Sequence, residues 1–178
     1  MPALPPAAER HEVHHRSISI RGYRRGDGLW DIEGHLADVR AERAVFAGGQ
    51  REAHEPIHSM WLRLTVDAQA CIAQAVAATQ ASPYPGVCDR ITPDYAALVG
   101  LTIGPGFRGH VRRLFGARKG CTHMTELLSA MSTGALQTLA GEHGQADTER
   151  RPFQLDGCHA LATDGPVVQA FYPRWFRP

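Results

Sequence analysis

The sequence predicts an α+β fold: an antiparallel meander of three to four strands, then two or three helices and a packed C-terminal tail. Three observations predict it. Apolar and polar residues alternate with period two in separate stretches between residues 16 and 67, helical spacing takes over beyond residue 93, and glycine or proline marks the changes of direction. At 178 residues with 43% hydrophobic and 21% charged content, the chain is sized for one soluble domain with a real core. Residues 1–15, rich in proline and alanine and then polar, read as a flexible arm, and residues 16–178 as a single globular domain.

The first strand is "RSISIRGYRR" (16–25), closed by the turn signal Gly26-Asp27-Gly28. "LWDIEGHLADV" (29–39) alternates next, with Trp30, Ile32 and Leu36 on one face and Asp31, Glu33 and His35 on the other. Residues 40–56 read as a loop with a helical turn. In "IHSMWLRLTVD" (57–67), His58, Met60, Leu62, Leu64 and Val66 share one face and Trp61, Arg63 and Thr65 the other. A further strand covers 71–82. After a proline-punctuated loop carrying Cys88, Thr92 as N-cap and Pro93 in the first turn start a helix. "GPGFRGHVRRLFG" (104–116) is a short helix ended by Gly116. Residues 122–141 form a long one with Met124, Leu127, Leu128, Met131, Ala135 and Leu139 as its apolar stripe. A polar linker follows at 142–151.

Composition excludes several classes of function. A net charge of +1 provides no global field for nucleic acid or anionic membrane. No run reaches the roughly 20 apolar residues of a membrane span, and the N-terminus lacks a secretory pattern. The expected location is the cytoplasm, where four reduced cysteines are free to act as ligands, nucleophiles or core. There is no phosphate loop, no G-x-S-x-G and no H-E-x-x-H.

Two constellations carry chemistry. Cys88, Cys121 and Cys158 each lie in a loop or at a helix start, two of them close to a histidine (Cys121-Thr-His123 and Cys158-His159). Thiolates with imidazole suit zinc or iron, including an iron–sulfur cluster. His58, on the apolar face of its strand, is a candidate for the fourth place, as are His159 and His123. Cys121 and His123 serve one site only if Cys121 precedes the helix, because a two-residue helical step turns roughly 200°. His123 and Glu126 share a helix face. Cys71, inside a strand, reads as core. The second constellation is Asp31, Glu33 and His35, about 6.5–7 Å apart along one strand face. Either they form a solvated polar face paired with Arg21 and Arg63, or they supply a general acid or base beside Trp61.

The blocks "RGYRRGDGLWDIEGHLAD", "EPIHSMWLRLT", "IGPGF", "GCTHMTELL", "LDGCHAL" and "YPRWF" resemble a bacterial family catalogued as domain of unknown function 2889. The resemblance runs from about residue 16 to the C-terminus and implies no established reaction. It places Cys88, Cys121, His123, Cys158 and His159 within the family's blocks and Cys71 outside them. In architecture the chain is also similar to the U-type iron–sulfur scaffold proteins. That resemblance implies a cluster or zinc held by Cys88 from the loop and by Cys121 with His123 from the helix start, with His58 or Cys158 standing in for the cysteine that this chain lacks after its first strands.

The expectation is a metal-dependent (zinc or iron) enzyme of lyase or hydrolase type acting on a small molecule, in the setting of aromatic-compound catabolism. Cys88, Cys121, Cys158, His58, His159 and His123 are its candidate ligands. Glu33, Glu126, Asp31 and His35 are candidates for catalysis, and Arg63 and Trp61 for substrate binding. Two alternatives stand beside it: a zinc or iron–sulfur binding module without catalysis, and a metal-free enzyme using Cys121 as nucleophile. The partner is then a small molecule, with no nucleic acid and no membrane, and self-association stays open.

Overall fold

The fold was analysed in a computed structural model, which describes residues 4–140, 151–152 and 154–178. The linker expected at 142–151 lies, apart from Arg151, outside the described residues. The chain divides into two compact units, Met1–Leu139 and Ala140–Pro178.

The first unit is α+β. Strands β1 (His15–Arg24), β2 (Trp30–Val39), β5 (His58–Val66) and β6 (Ile72–Ala81) form an antiparallel sheet in the order β1-β2-β5-β6. Residues 40–56 differ from the expected loop. They contain a small hairpin, β3 (Ala44–Phe46) and β4 (Gly49–Arg51), whose Gly49 has φ 135°, a conformation only glycine adopts without strain. The tight connection between β1 and β2 closes where expected: Arg25 N–H donates to Leu29 O at 2.9 Å, and Gly28 takes φ 84°.

Alternation sets the two faces as predicted. Trp30, Ile32 and Leu36 from β2, with Met60, Leu62, Leu64 and Val66 from β5, are buried under the helices. Asp31, Glu33, His35, Trp61 and Arg63 point the other way. Helix α2 (Thr122–Ala140) lays Met124, Leu127, Leu128, Met131, Ala135 and Leu139 on the core. It approaches closely because β1 and β2 offer glycines beneath it. A Cβ on Gly34 would stand 2.5 Å from Met131 Sδ, and one on Gly22 would stand 2.0 Å from Thr138 Oγ1. Helix α1 (Phe107–Phe115) ends at Gly116, and Phe107, Val111 and Phe115 are its buried edge.

The segment before α1 differs from expectation. Cys88–Leu98 coils as 3-10 turns with Pro93 inside. Coiling begins at Cys88, so Thr92 is already within the turns, and its hydroxyl donates back to Asp89 O at 2.8 Å instead of capping a helix. Tyr95, fully buried here, ties this segment to the start of α2. Its hydroxyl accepts from Cys121 N–H at 3.1 Å and donates to Cys121 O at 3.3 Å.

In the second unit, 3-10 turns at His159–Leu161 and Pro173–Trp175 flank α3 (Pro166–Phe171). Asp156 organises it by accepting from Thr163 N–H at 2.8 Å and Thr163 Oγ1 at 3.0 Å. None of the helices among the described residues is long and apolar enough to cross a membrane.

Candidate metal centre

Three neighbouring strands place a polar residue in phase with their apolar residues at one end of the sheet. Register aligns Arg16 of β1 with Asp38 of β2, and Asp38 with His58 of β5. All three project to the face that α2 covers, and α2 adds His123 from its first turn. Among the described residues, Asp38, His58 and His123 form the group whose ligand atoms all lie within 4.8 Å of one another.

Asp38 is the centre of this cluster, with its side chain only 4% exposed. An ionised carboxylate offers about four lone-pair positions. Arg16 takes one on each oxygen as a fork, Nε to Oδ1 at 2.8 Å and Nη2 to Oδ2 at 2.8 Å. His14 Nε2 takes the second on Oδ1 at 2.9 Å. One position remains, on Oδ2, and two imidazoles converge on it. His58 Nδ1 lies 3.1 Å away and His123 Nε2 3.5 Å. His58 Nδ1 is close to the carboxylate but makes no hydrogen bond, although the atom is buried. The two rings stack at 3.7 Å.

Electrostatics match this geometry. Burial alone would raise the Asp38 pKa. The Arg16 fork, then His14, outweigh burial and hold it down at about 2. Burial lowers both His58 and His123, helped in His58 by its histidine neighbour and in His123 by Arg16. Both rings are therefore neutral near pH 7, with lone pairs available.

Cys121 and His123 do come together. Helix α2 starts at Thr122, and Cys121 O accepts from Thr125 N–H at 2.9 Å, so Cys121 itself stands at the N-cap. Being outside the helix, its Sγ reaches 3.9 Å from His123 Nδ1. The sulfur addresses the ring nitrogen that faces away from Asp38. Glu126, one turn on, accepts from Arg16 Nη1 at 2.6 Å and so joins the same cluster.

The other predicted residues lie elsewhere. Cys88 begins the 3-10 segment and is outside the three-ligand group. Cys158 is exposed in the second unit, where His159 opens a 3-10 turn. Asp31, Glu33, His35, Trp61 and Arg63 occupy the opposite face of the sheet from His58 and His123. There Arg63 Nε donates to Glu33 Oε1 at 2.8 Å, with Arg21 opposite Glu33 on β1. Asp31 accepts from Thr65 Oγ1 at 2.7 Å. His35 stacks on Trp61 at 4.0 Å and bonds Ser59 Oγ at 2.9 Å, while Trp61 Nε1 donates to Gln80 at 2.8 Å. Beside this network opens a cavity of about 460 Å³, with Ser59, Gln80, Glu55 and Asp89 in its wall.

The residue the sequence reading missed is Asp38. Its signal was present: an aspartate in phase with Trp30, Ile32 and Leu36, on a face where an unpartnered charge would be costly.

Comparison with known proteins adds the family. Residues 14–137 match the family described as protein of unknown function DUF2889, and the chain belongs to it. The matched stretch begins at His14 and includes Cys71, Cys88, Cys121 and the Asp38–His58–His123 group. It ends before Cys158 and His159. No curated protein and no solved structure matches the chain.

Proposed function

We propose that the protein is a metal-dependent enzyme of lyase or hydrolase type acting on a small oxygenated molecule, with zinc or iron held by Asp38, His58 and His123. One observation carries this reading: a single carboxylate lone pair faces two neutral imidazoles, and the buried His58 Nδ1 makes no hydrogen bond to it. A divalent cation is the group that such a convergence of nitrogen and oxygen donors suits. The local charge agrees, since Asp38 and Glu126 against Arg16 leave one negative charge to offset.

With three protein ligands, a bound metal supplies Lewis acidity at an open position. The surrounding residues have distinct roles. Arg16 and His14 hold the other three lone pairs of Asp38 and so orient its free one. Cys121 sets the ring of His123 by facing Nδ1, which leaves Nε2 to the site. Glu126, fixed by Arg16 on the same helix face as His123, is the general base for water or a substrate hydroxyl.

Metal analysis of untagged protein tests the proposal. About one zinc or iron per chain is expected, lost in His58→Ala and His123→Ala and retained in Cys88→Ser and Cys158→Ser. Metal-free wild type, or loss in the cysteine variants alone, overturns it. A structural metal is the second reading, favoured by the tie that Asp38 already makes between β1, β2 and β5. Chelation separates the two, because loss of a structural ion lowers the melting temperature sharply.

A further inference from the structure

Strand β6 carries one residue more than its partner where the sheet meets the cavity. Ser59 pairs with Ala81 and Met60 with Thr79, so Gln80 is the extra residue of a β-bulge, a device that re-aims a side chain. Gln80 stands in the wall of the cavity of about 460 Å³, together with Ser59 and Ser82. That volume lies within the roughly 300–1,000 Å³ of small-molecule sites. An indole N–H only donates, so the Gln80 atom that Trp61 Nε1 meets at 2.8 Å is its oxygen, to which Ser59 Oγ also donates at 3.3 Å. The amide nitrogen is then what Gln80 can offer the cavity, and it has no partner among the described residues. Ser82 is only 4% exposed, yet its hydroxyl has no partner among the described residues, while its carbonyl accepts from Arg51 Nη2 at 3.2 Å. Buried hydroxyls are normally hydrogen-bonded, so this one marks a place for a ligand atom.

The rest of the wall narrows the chemistry of the occupant. Arg51 is spent on the carbonyls of Gln50, Pro56 and Ser82, and Glu55 Oε1 lies 3.6 Å from its Nε. The Asp89 carboxylate takes no ion pair among the described residues, so Glu55 and Asp89 against Arg51 leave the wall with one negative charge. An anion is repelled there. A simple ammonium only donates and would leave the Gln80 amide unmatched. A hydroxyl group donates to a carboxylate and accepts from an amide at once. We propose that this cavity is a second ligand site, taking a neutral polyhydroxylated molecule of monosaccharide size. It shares no residue with the Asp38–His58–His123 group, and it stands whether or not that group holds a metal.

Titration of isotope-labelled full-length protein with glucose, myo-inositol and sorbitol tests this, read by NMR on the Gln80 side-chain amide and the Ser82 backbone amide. At least one polyol is expected to shift both signals saturably. Its Kd should be about 1–10 mM, the strength expected of a ligand of about a dozen heavy atoms. Gln80→Met keeps the side-chain length but removes the donors, and Ser82→Ala removes the hydroxyl. Each should weaken binding about threefold to tenfold. Gln74→Ala, on the same strand but outside the wall, should bind as wild type does.

Shifts that fail to saturate with all three polyols overturn the inference. Equal affinity in wild type, Gln80→Met and Ser82→Ala also overturns it, since the polyol would then bind elsewhere. Tighter binding of butylammonium or acetate than of any polyol, read on the same two signals, overturns the ligand class assigned to the cavity.

Discussion

Strand β2 carries acids on both faces, and the two faces treat them differently. On the open face Glu33 meets Arg63, whose side chain is 54% exposed, in an ion pair that solvent screens. On the covered face Asp38 is almost fully buried and takes three donors, with two imidazoles crowding its last lone pair. Residue type is nearly the same; what differs is the layer above. Helix α2 removes water from one face, which forces the carboxylate there to be fully partnered and lowers the pKa of the histidines beside it. The same carboxylate chemistry thus yields a surface pair on one side and a candidate metal centre on the other.

The largest expected effect comes from deleting each acid in turn. Asp38→Ala leaves Arg16 and three histidines without their anchor and should cost about 3 kcal/mol in urea unfolding. Glu33→Ala should cost under about 0.5 kcal/mol. Equal costs would break the contrast.

Next in size is the packing that creates the covered face. In Gly34→Ala the new methyl meets Met131 Sδ at 2.5 Å and Leu127 Cδ1 at 3.0 Å, which calls for about 1–3 kcal/mol of repacking. His123 sits one turn from Leu127, so this variant should also weaken metal binding. A stability loss with metal affinity unchanged would show that the helix position does not set the site.

A smaller effect is the pH dependence. His58 and His123 have folded pKa values below their ordinary 6.5. As pH falls through 6.5 the unfolded chain binds protons first, so metal-free protein loses stability from there down to their lowered values. Asp38, depressed from 3.8 to about 2, contributes stability present above 3.8 and lost as pH falls towards 2. Urea midpoints taken from pH 7.5 to 5 should fall in wild type and flatten in a His58→Gln, His123→Gln double variant. A slope unchanged by both substitutions would place the titrating group elsewhere.

Most of the fold was legible, because alternation reports faces directly. His58 and Met60 against Trp61 and Arg63, and Ile32 and Leu36 against Glu33 and His35, lie as period two requires. Helix α2 was legible from its Leu and Met stripe. The hairpin at 44–51 was not, since three-residue strands with glycines carry almost no pattern. The centre was half legible. His58, His123 and Glu126 were visible as residues of the right type, but what joins them is strand register, which brings Arg16, Asp38 and His58 into one row. Cysteines drew attention by chemistry alone, and Cys88 and Cys121 lie outside the group that register and α2 assemble.

The measurement that bears most directly on this account is X-ray absorption at the metal edge of zinc-loaded protein. Asp38, His58 and His123 predict a first shell of nitrogen and oxygen at about 2.0–2.1 Å with no sulfur. A sulfur shell at about 2.3 Å would contradict the account and return the site to the cysteines.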